Sequence, residues 1–393
     1  MNKTSASSSD CPETKGELKS LRDAGQDKAV CVKWQSSKEF AATQGKAMAA
    51  AAPVWCSAQP QNTVYVERTS ICSRRGVVIL LIDTITGRPM GSAYGILDQE
   101  IDTQSTKPEF FEYMNFTLTK ADITSSAMTV SVNSTCSLDT SCSESATPWS
   151  APRPIVVGSS IDGTFTRRWT GASGQKSFLL DYSLTINIGG ASGSTRWGGH
   201  GEQGAGQYLV RCDAMITKLL GCVVPSYIPT FVVDPKYNEA RQFIGMAQAS
   251  MNLHPGWEGK GKPLHRESVE AEVNKNRAVV CDKTFKAHAD TPTPQCDEFP
   301  FARTKESGRR LSVISGAECQ MYNVIKSVVT GRLSVTWPGL NQGRMPDPNA
   351  KCARASMPKA QNEGVGGDLG RRTSEWRLLE NDAYWVDAGQ PVG

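Results

Sequence analysis

Residues 296–300 read Cys-Asp-Glu-Phe-Pro, so two carboxylates, Asp297 and Glu298, stand side by side between a cysteine and a proline. Adjacent like charges repel, and the arrangement calls for something that offsets the repulsion. The candidates are a divalent cation, basic neighbours or plain hydration on an exposed loop. A hard cation such as Mg²⁺ or Mn²⁺ binds through carboxylate oxygens. On an extended strand neighbouring side chains point to opposite faces. At most one of the two can therefore ligate a cation directly, unless the backbone turns sharply, as Phe299-Pro300 would permit.

Further along the chain, residues 362–372 read Asn-Glu-Gly-Val-Gly-Gly-Asp-Leu-Gly-Arg-Arg. Glycines this close together permit tight turns and close approach of a ligand, and exposed backbone N–H groups favour anions. The stretch is expected to be a loop, with Arg371 and Arg372 placed to fork onto phosphate oxygens. The spacing is not that of a dinucleotide-binding fingerprint, and no strand–turn–helix unit surrounds it.

The elements that would position these groups are legible from periodicity. "DPKYNEARQFIGMAQASM" puts Ala240, Phe243, Ile244 and Ala247 on one helical face, and "RESVEAEVNKNRAVVC" is a second helix candidate. Short strands are expected near "RRLSVIS" and "RLSVTWP". Before residue 235 the pattern is β, with period-two, β-branched and aromatic runs broken by Gly, Pro, Asn and Ser. "DTITGRPMG" looks like a hairpin with Gly87 at its tip, "PWSAPRPIVVG" a link between sub-sheets, and "GGASGSTRWGGHGEQGAGQ" a loop. The expected division is 1–54 a polar tail with one short helix near "GKAMAAAAP", 55–235 a β-rich accessory domain resembling a sandwich, and 236–393 a small disulfide-stapled α+β domain.

The chain has 393 residues, 39% hydrophobic and 21% charged, an ordinary globular mix. Residues 1–235 hold 21 basic and 21 acidic side chains, and 236–393 hold 22 and 18, so the whole +4 charge lies in the C-terminal part. That leans weakly toward a polyanionic partner. Twelve dispersed cysteines with no Cys-x-x-Cys pair point to disulfides and an oxidising compartment rather than a zinc site. Asn2, Asn115 and Asn133 fit the glycosylation pattern. The first twenty residues are polar, without the apolar stretch of a leader, so either a leader was removed or the chain is a piece of a longer one. No apolar run is long enough for a membrane span.

The segments "YNEARQFIGMAQAS", "PLHRESVEAEVNKNRAVVC", "QCDEFPFARTKES", "PKAQNEGVGGDLG" and "RLLENDAYWVD" occur in that order. In this they resemble the NucA/NucB deoxyribonuclease domain of secreted bacterial and fungal nucleases, over roughly 236–388. The β-rich part resembles, more loosely, the region preceding this domain in long actinobacterial members. Lys305 stands where relatives often carry an aromatic or acidic residue, and "RRTSEW" lacks the Phe-Tyr of many of them. The resemblance implies a secreted, metal-dependent endonuclease that cuts DNA with little sequence preference. It makes Asp297 and Glu298 the paired acids and candidate metal ligands, one binding Mg²⁺ or Mn²⁺ as cofactor while the other acts as a general base or orients a water. Glu306 is a third acid at a matching position, and His265 and Asn362 are further catalytic candidates. Arg266 and Arg277 are candidate phosphate contacts. Disulfides Cys281–Cys296, Cys212–Cys222, Cys319–Cys352 and Cys72–Cys136 are expected, with Cys11–Cys31 tying down the tail. Two other readings stay open: an inactive binding or adhesion protein, whose β-rich part would hold an unknown ligand, and the toxic end of a larger antibacterial effector.

Overall fold

The computed structural model describes residues 11, 15–35, 54–57, 59, 62–123, 128–145, 149–199, 205–216, 218–337 and 346–389. The chain divides into two compact units, Met1–Tyr227 and Ile228–Gly393. It is mainly β, with six disulfides among the described residues. Among those residues no helix is long and apolar enough to cross a membrane.

The first unit has two antiparallel sheets. One orders strands Lys28–Trp34, Ser70–Asp83, Pro89–Asp102, Glu109–Ala121, Ser160–Trp169 and Cys142–Glu144, with Thr63–Val66 paired to the second of these. The other orders Gly221–Val223, Leu209–Asp213, Gln175–Ile188, Met128–Ser137 and Arg153–Ile155, with Ala191–Gly198 beside Gln175–Ile188. The period-two pattern explains the burial. Phe178, Leu180, Leu184 and Ile186 point into a core shared with Val77, Ile79, Leu97 and Phe116 of the first sheet. "PWSAPRPIVVG" does join strands of the two sheets, and Gly87 caps the expected hairpin at φ 69°.

Several expectations change here. Part of the expected tail is a strand: Lys28–Trp34 pairs in register with Val77–Asp83, and Cys11 is bridged to Cys31. The strand's run of four buried residues, Ala29–Val32, is too short to stand out beside the polar sequence before it. The short helix expected near "GKAMAAAAP" lies outside the described residues. Within "GGASGSTRWGG", Gly189 and Gly190 make a two-residue hairpin turn, and Ala191–Gly198 is a strand rather than a loop. The expected Cys72–Cys136 bridge is not formed: Cys72 pairs with Cys56, and Cys136 with Cys142, a bridge that joins the two sheets. Asn115 is 1% exposed in mid-strand and is no glycosylation acceptor in the folded chain, whereas Asn133 is exposed.

The second unit is α+β. Its elements are β1 (Thr230–Val232), α1 (Asn238–Ser250), β2 (Leu264–His265), α2 (Glu270–Val280), β3 (Pro294–Phe299), β4 (Gln320–Lys326), β5 (Leu333–Thr336), β6 (Ala353–Pro358), α3 (Lys359–Glu375) and β7 (Ala383–Asp387). One sheet runs β1-β7-β2 and the other β3-β6-β4-β5. The boundary expected at 235 falls inside this unit, because β1 already pairs with the closing strand β7. Ala240, Phe243, Ile244 and Ala247 are all fully buried, as the helical spacing predicts, in a core with Phe299, Tyr322 and Leu378. "RRLSVIS" begins as a 3₁₀ turn, Gly308–Leu311, and not as a strand. Cys281–Cys296 and Cys319–Cys352 staple the unit as expected.

Residues 359–375 depart most from expectation. The glycine-rich stretch is a helix of 17 residues. Glycine disfavours helix by about 1 kcal/mol per residue. Here Val365 and Leu369, one turn apart, are buried in the core, and tertiary packing overrides propensity.

Candidate functional site

Strand β3 is an edge strand, hydrogen-bonded to β6 on one side, with Asp297 opposite Ala355 and Glu298 opposite Arg354. The Cys281–Cys296 disulfide fastens it to the C-terminal end of α2. On its other flank the Asn362 amide of α3 donates to Gln295 Oε1 at 3.1 Å and to the Cys296 carbonyl at 3.4 Å. After the strand comes the cis peptide Phe299–Pro300, with the Phe299 ring wholly buried. The acids are thus held by a disulfide, a side-chain clasp and a core aromatic.

Asp297 and Glu298 are only 7% and 8% exposed, and both line one cavity of about 490 Å³. Asp297 Oδ1 accepts from the Glu298 backbone N–H at 2.9 Å, and no described residue donates to its second oxygen. Burial, and then the adjacent Glu298 charge, push the Asp297 carboxyl up to about 8. Burial also raises Glu298, against the pull of Arg277. Arg277 Nε lies 3.4 Å from Glu298 Oε1. Glu298 Oε2 lies 3.4 Å from the Cys281 sulfur, which in a disulfide has no proton to give.

Three guanidinium groups share the cavity: Arg266, Arg277 and Arg303. Arg266 donates to the Leu378 carbonyl, and burial together with the Arg303 charge lowers its affinity for its proton. Two guanidiniums in electrostatic range of each other, beside a pair of buried acids, favour an anion arriving with a cation. Tyr384 of β7 and the α3 stripe Asn362, Val365, Gly366, Leu369, Gly370, Thr373 complete the wall.

The cavity therefore brings together Asp297, Glu298, Asn362, Arg266 and Arg277, and leaves out four expected residues. Glu306 is bound to His265: its Oε1 lies 2.7 Å from Nδ1, and its Oε2 accepts the His265 backbone N–H at 2.8 Å. Neither lines the cavity, so Glu306 is not placed as a second ligand. Arg371 and Arg372 follow the helix rather than a loop, and both pair with Glu375, at 2.9 and 2.8 Å, away from the cavity. Sequence reasoning missed Arg303 and Tyr384. Arg303 follows Phe301-Ala302 in the quoted motif, and the signal was its nearness to the acids. Tyr384 sits in a strand whose aromatic run reads as core.

A divalent cation fits the donor set in a particular way. Among the described residues no group of three or more His, Cys, Asp or Glu could hold a metal. An all-protein zinc or calcium cage is not the pattern. Mg²⁺ commonly takes one or two carboxylates and completes its shell with water and substrate phosphate. The second oxygen of Asp297, which no described residue meets, belongs to a residue lining a cavity with arginines and suits that mode.

No protein-family model matches this chain, and no curated protein matches it.

Proposed function

We propose that the second unit is a metal-assisted phosphodiesterase that cuts DNA, of the NucA/NucB kind, acting outside the cell. The observation that carries the reading is the buried Asp297–Glu298 pair facing a cavity that three arginines share. The six disulfides support an oxidising compartment.

A bound Mg²⁺ or Mn²⁺ ion supplies charge against the scissile phosphate and lowers the pKa of a water. Asp297 would hold such an ion. Glu298, oriented by Arg277, positions the attacking water and takes its proton; as the new P–O bond forms, the P–O bond to the leaving sugar oxygen breaks and solvent water protonates that oxygen. Arg266 and Arg303 bind the phosphate oxygens and hold the ester in place. Asn362 fixes the distance between β3 and α3. Because arginine–phosphate contacts carry no sequence information, cleavage should show little sequence preference and weaken with salt.

The test is plasmid DNA incubated with the purified protein. Degradation with Mg²⁺ or Mn²⁺, abolished by chelator, and a fall of at least about 100-fold for Asp297→Asn are expected. Intact plasmid under all metal conditions, or full activity in Asp297→Asn, would reject the reading.

A further inference from the structure

Helix α3 carries four glycines, Gly364, Gly366, Gly367 and Gly370. Each weakens a helix relative to alanine, because glycine loses more backbone freedom on folding. Each therefore needs a reason, and the structure separates them. A Cβ on Gly364 would fall 2.2 Å from the Tyr237 ring, so packing excludes any larger residue there. At Gly366, Gly367 and Gly370 an added Cβ would meet nothing within 4 Å, and none of the three has positive φ. Neither packing nor backbone conformation accounts for them.

Their positions do. Gly366 and Gly370 line the cavity with Asp297 and Arg266, whereas Gly367 does not. Four residues apart, the two lie one above the other on the same helix face. They leave a shelf of bare backbone in the cavity wall.

A second, independent feature points to an occupant. Tyr384 lines the same cavity and is 2% exposed, yet no described residue hydrogen-bonds its hydroxyl. The hydroxyl keeps some exposure, within electrostatic range of Arg266 and Glu306, and so is open to a ligand. Asp297, 7% exposed, likewise has an oxygen that no described residue meets.

We propose that Gly366 and Gly370 form a specificity shelf over which the sugar–phosphate backbone of a polynucleotide strand passes, with the Tyr384 hydroxyl donating to that strand. The proposal rests on the hydrolytic reading for the reaction itself and adds what selects the substrate. A polymer must lie along the helix wall to bring one of its phosphates to the acids. A small phosphodiester reaches them without covering the shelf.

The experiment compares Gly366→Ala, Gly370→Ala and their combination with Gly367→Ala in the full chain. Every variant should keep its fold and raise Tm by about 2–4 °C per substitution, since alanine favours helix. In the double variant, kcat/KM on DNA should fall at least about 10-fold more than on bis(4-nitrophenyl) phosphate, as expected for a displaced strand. Gly367→Ala should match the wild type on both. Equal losses on the two substrates, or no loss on DNA, overturn the shelf. Should the wild type hydrolyse neither substrate, the hydrolytic reading fails, and binding of a fluorescein-labelled oligodeoxynucleotide in chelator decides the shelf separately. Affinity weakened about 10-fold in the double variant and unchanged in Gly367→Ala supports it; equal affinity in all variants overturns it.

Discussion

Asp297 and Glu100 show what burial does to a carboxylate in two settings. Asp297 faces a cavity with arginines; Glu100, in the first unit, is 3% exposed and accepts a hydrogen bond from the Trp55 indole. Burial raises the Glu100 carboxyl to about 7, the Trp55 bond opposes this, and the Asp102 charge adds to it. A carboxyl whose folded pKa is raised contributes its stability below the unfolded value, near 4.5. That contribution is lost as pH climbs through about 7, because the folded state then gives up a proton it holds well. Glu100→Gln keeps the acceptor for Trp55 and removes the charge. Thermal melts should show the variant more stable than the wild type at pH 8, by a few degrees, and level with it at pH 4. A variant less stable at pH 8 would mean that the ionised carboxylate is useful there.

At the scale of elements, the segment after β3 is pinned by charge. Lys305 Nζ donates to Glu267 Oε2 at 2.8 Å and also to Glu380, while Arg310 reaches Glu267 at 2.5 Å. Glu267 is wholly buried, so losing a partner leaves charge without compensation. Lys305, which departs from the expected family pattern, thus ties the 300–311 segment to the loop before α2 and to the chain ahead of β7. Burial opposes ionisation of Glu380, but hydrogen bonds from Lys305 and Ser268 outweigh it and hold the carboxyl down at about 2. A depressed carboxyl contributes its stability above the unfolded value near 4.5 and loses it as pH falls through about 2. Lys305→Met should therefore lower Tm at pH 7, and the gap to wild type should shrink on acidification from pH 4.5 towards pH 2. A constant gap across that window would assign the loss to packing of the lysine stem rather than to charge.

Legibility at this scale followed the strength of the periodic signal. Helix α1 was readable because four apolar residues recur at helical spacing and all four are buried. Helix α3 was not, because only Val365 and Leu369 carry its apolar stripe, among four glycines and mostly polar or charged residues. Its fold is decided by partners distant in sequence. The strand Ala191–Gly198 was hidden for a similar reason: small polar residues surround it, and its pairing with Gln175–Ile188 supplies the order.

For the whole molecule, loop length did not decide which bridges were legible: Cys212–Cys222 and Cys281–Cys296 were anticipated and so was the longer Cys319–Cys352, whereas the shortest loop, Cys136–Cys142, was not. The expected pairing failed for Cys72 and Cys136, whose sheet membership no local pattern reveals. The acid pair was legible from sequence because adjacent carboxylates beside a cysteine are unusual. Which residues join them was not. Tyr384 and Arg303 meet the pair only through the packing of β7 and of the segment after β3, while Glu306 and His265 turn to each other. A two-carboxylate donor set also means that the cation should bind weakly without substrate, with Asp297 as its chief protein ligand. Mn²⁺ titrated into the purified protein and followed by electron paramagnetic resonance tests this most directly. The account predicts one saturable site in the wild type, tightened by added non-hydrolysable oligonucleotide and lost in Asp297→Asn. The same occupancy in Asp297→Asn as in the wild type would contradict it.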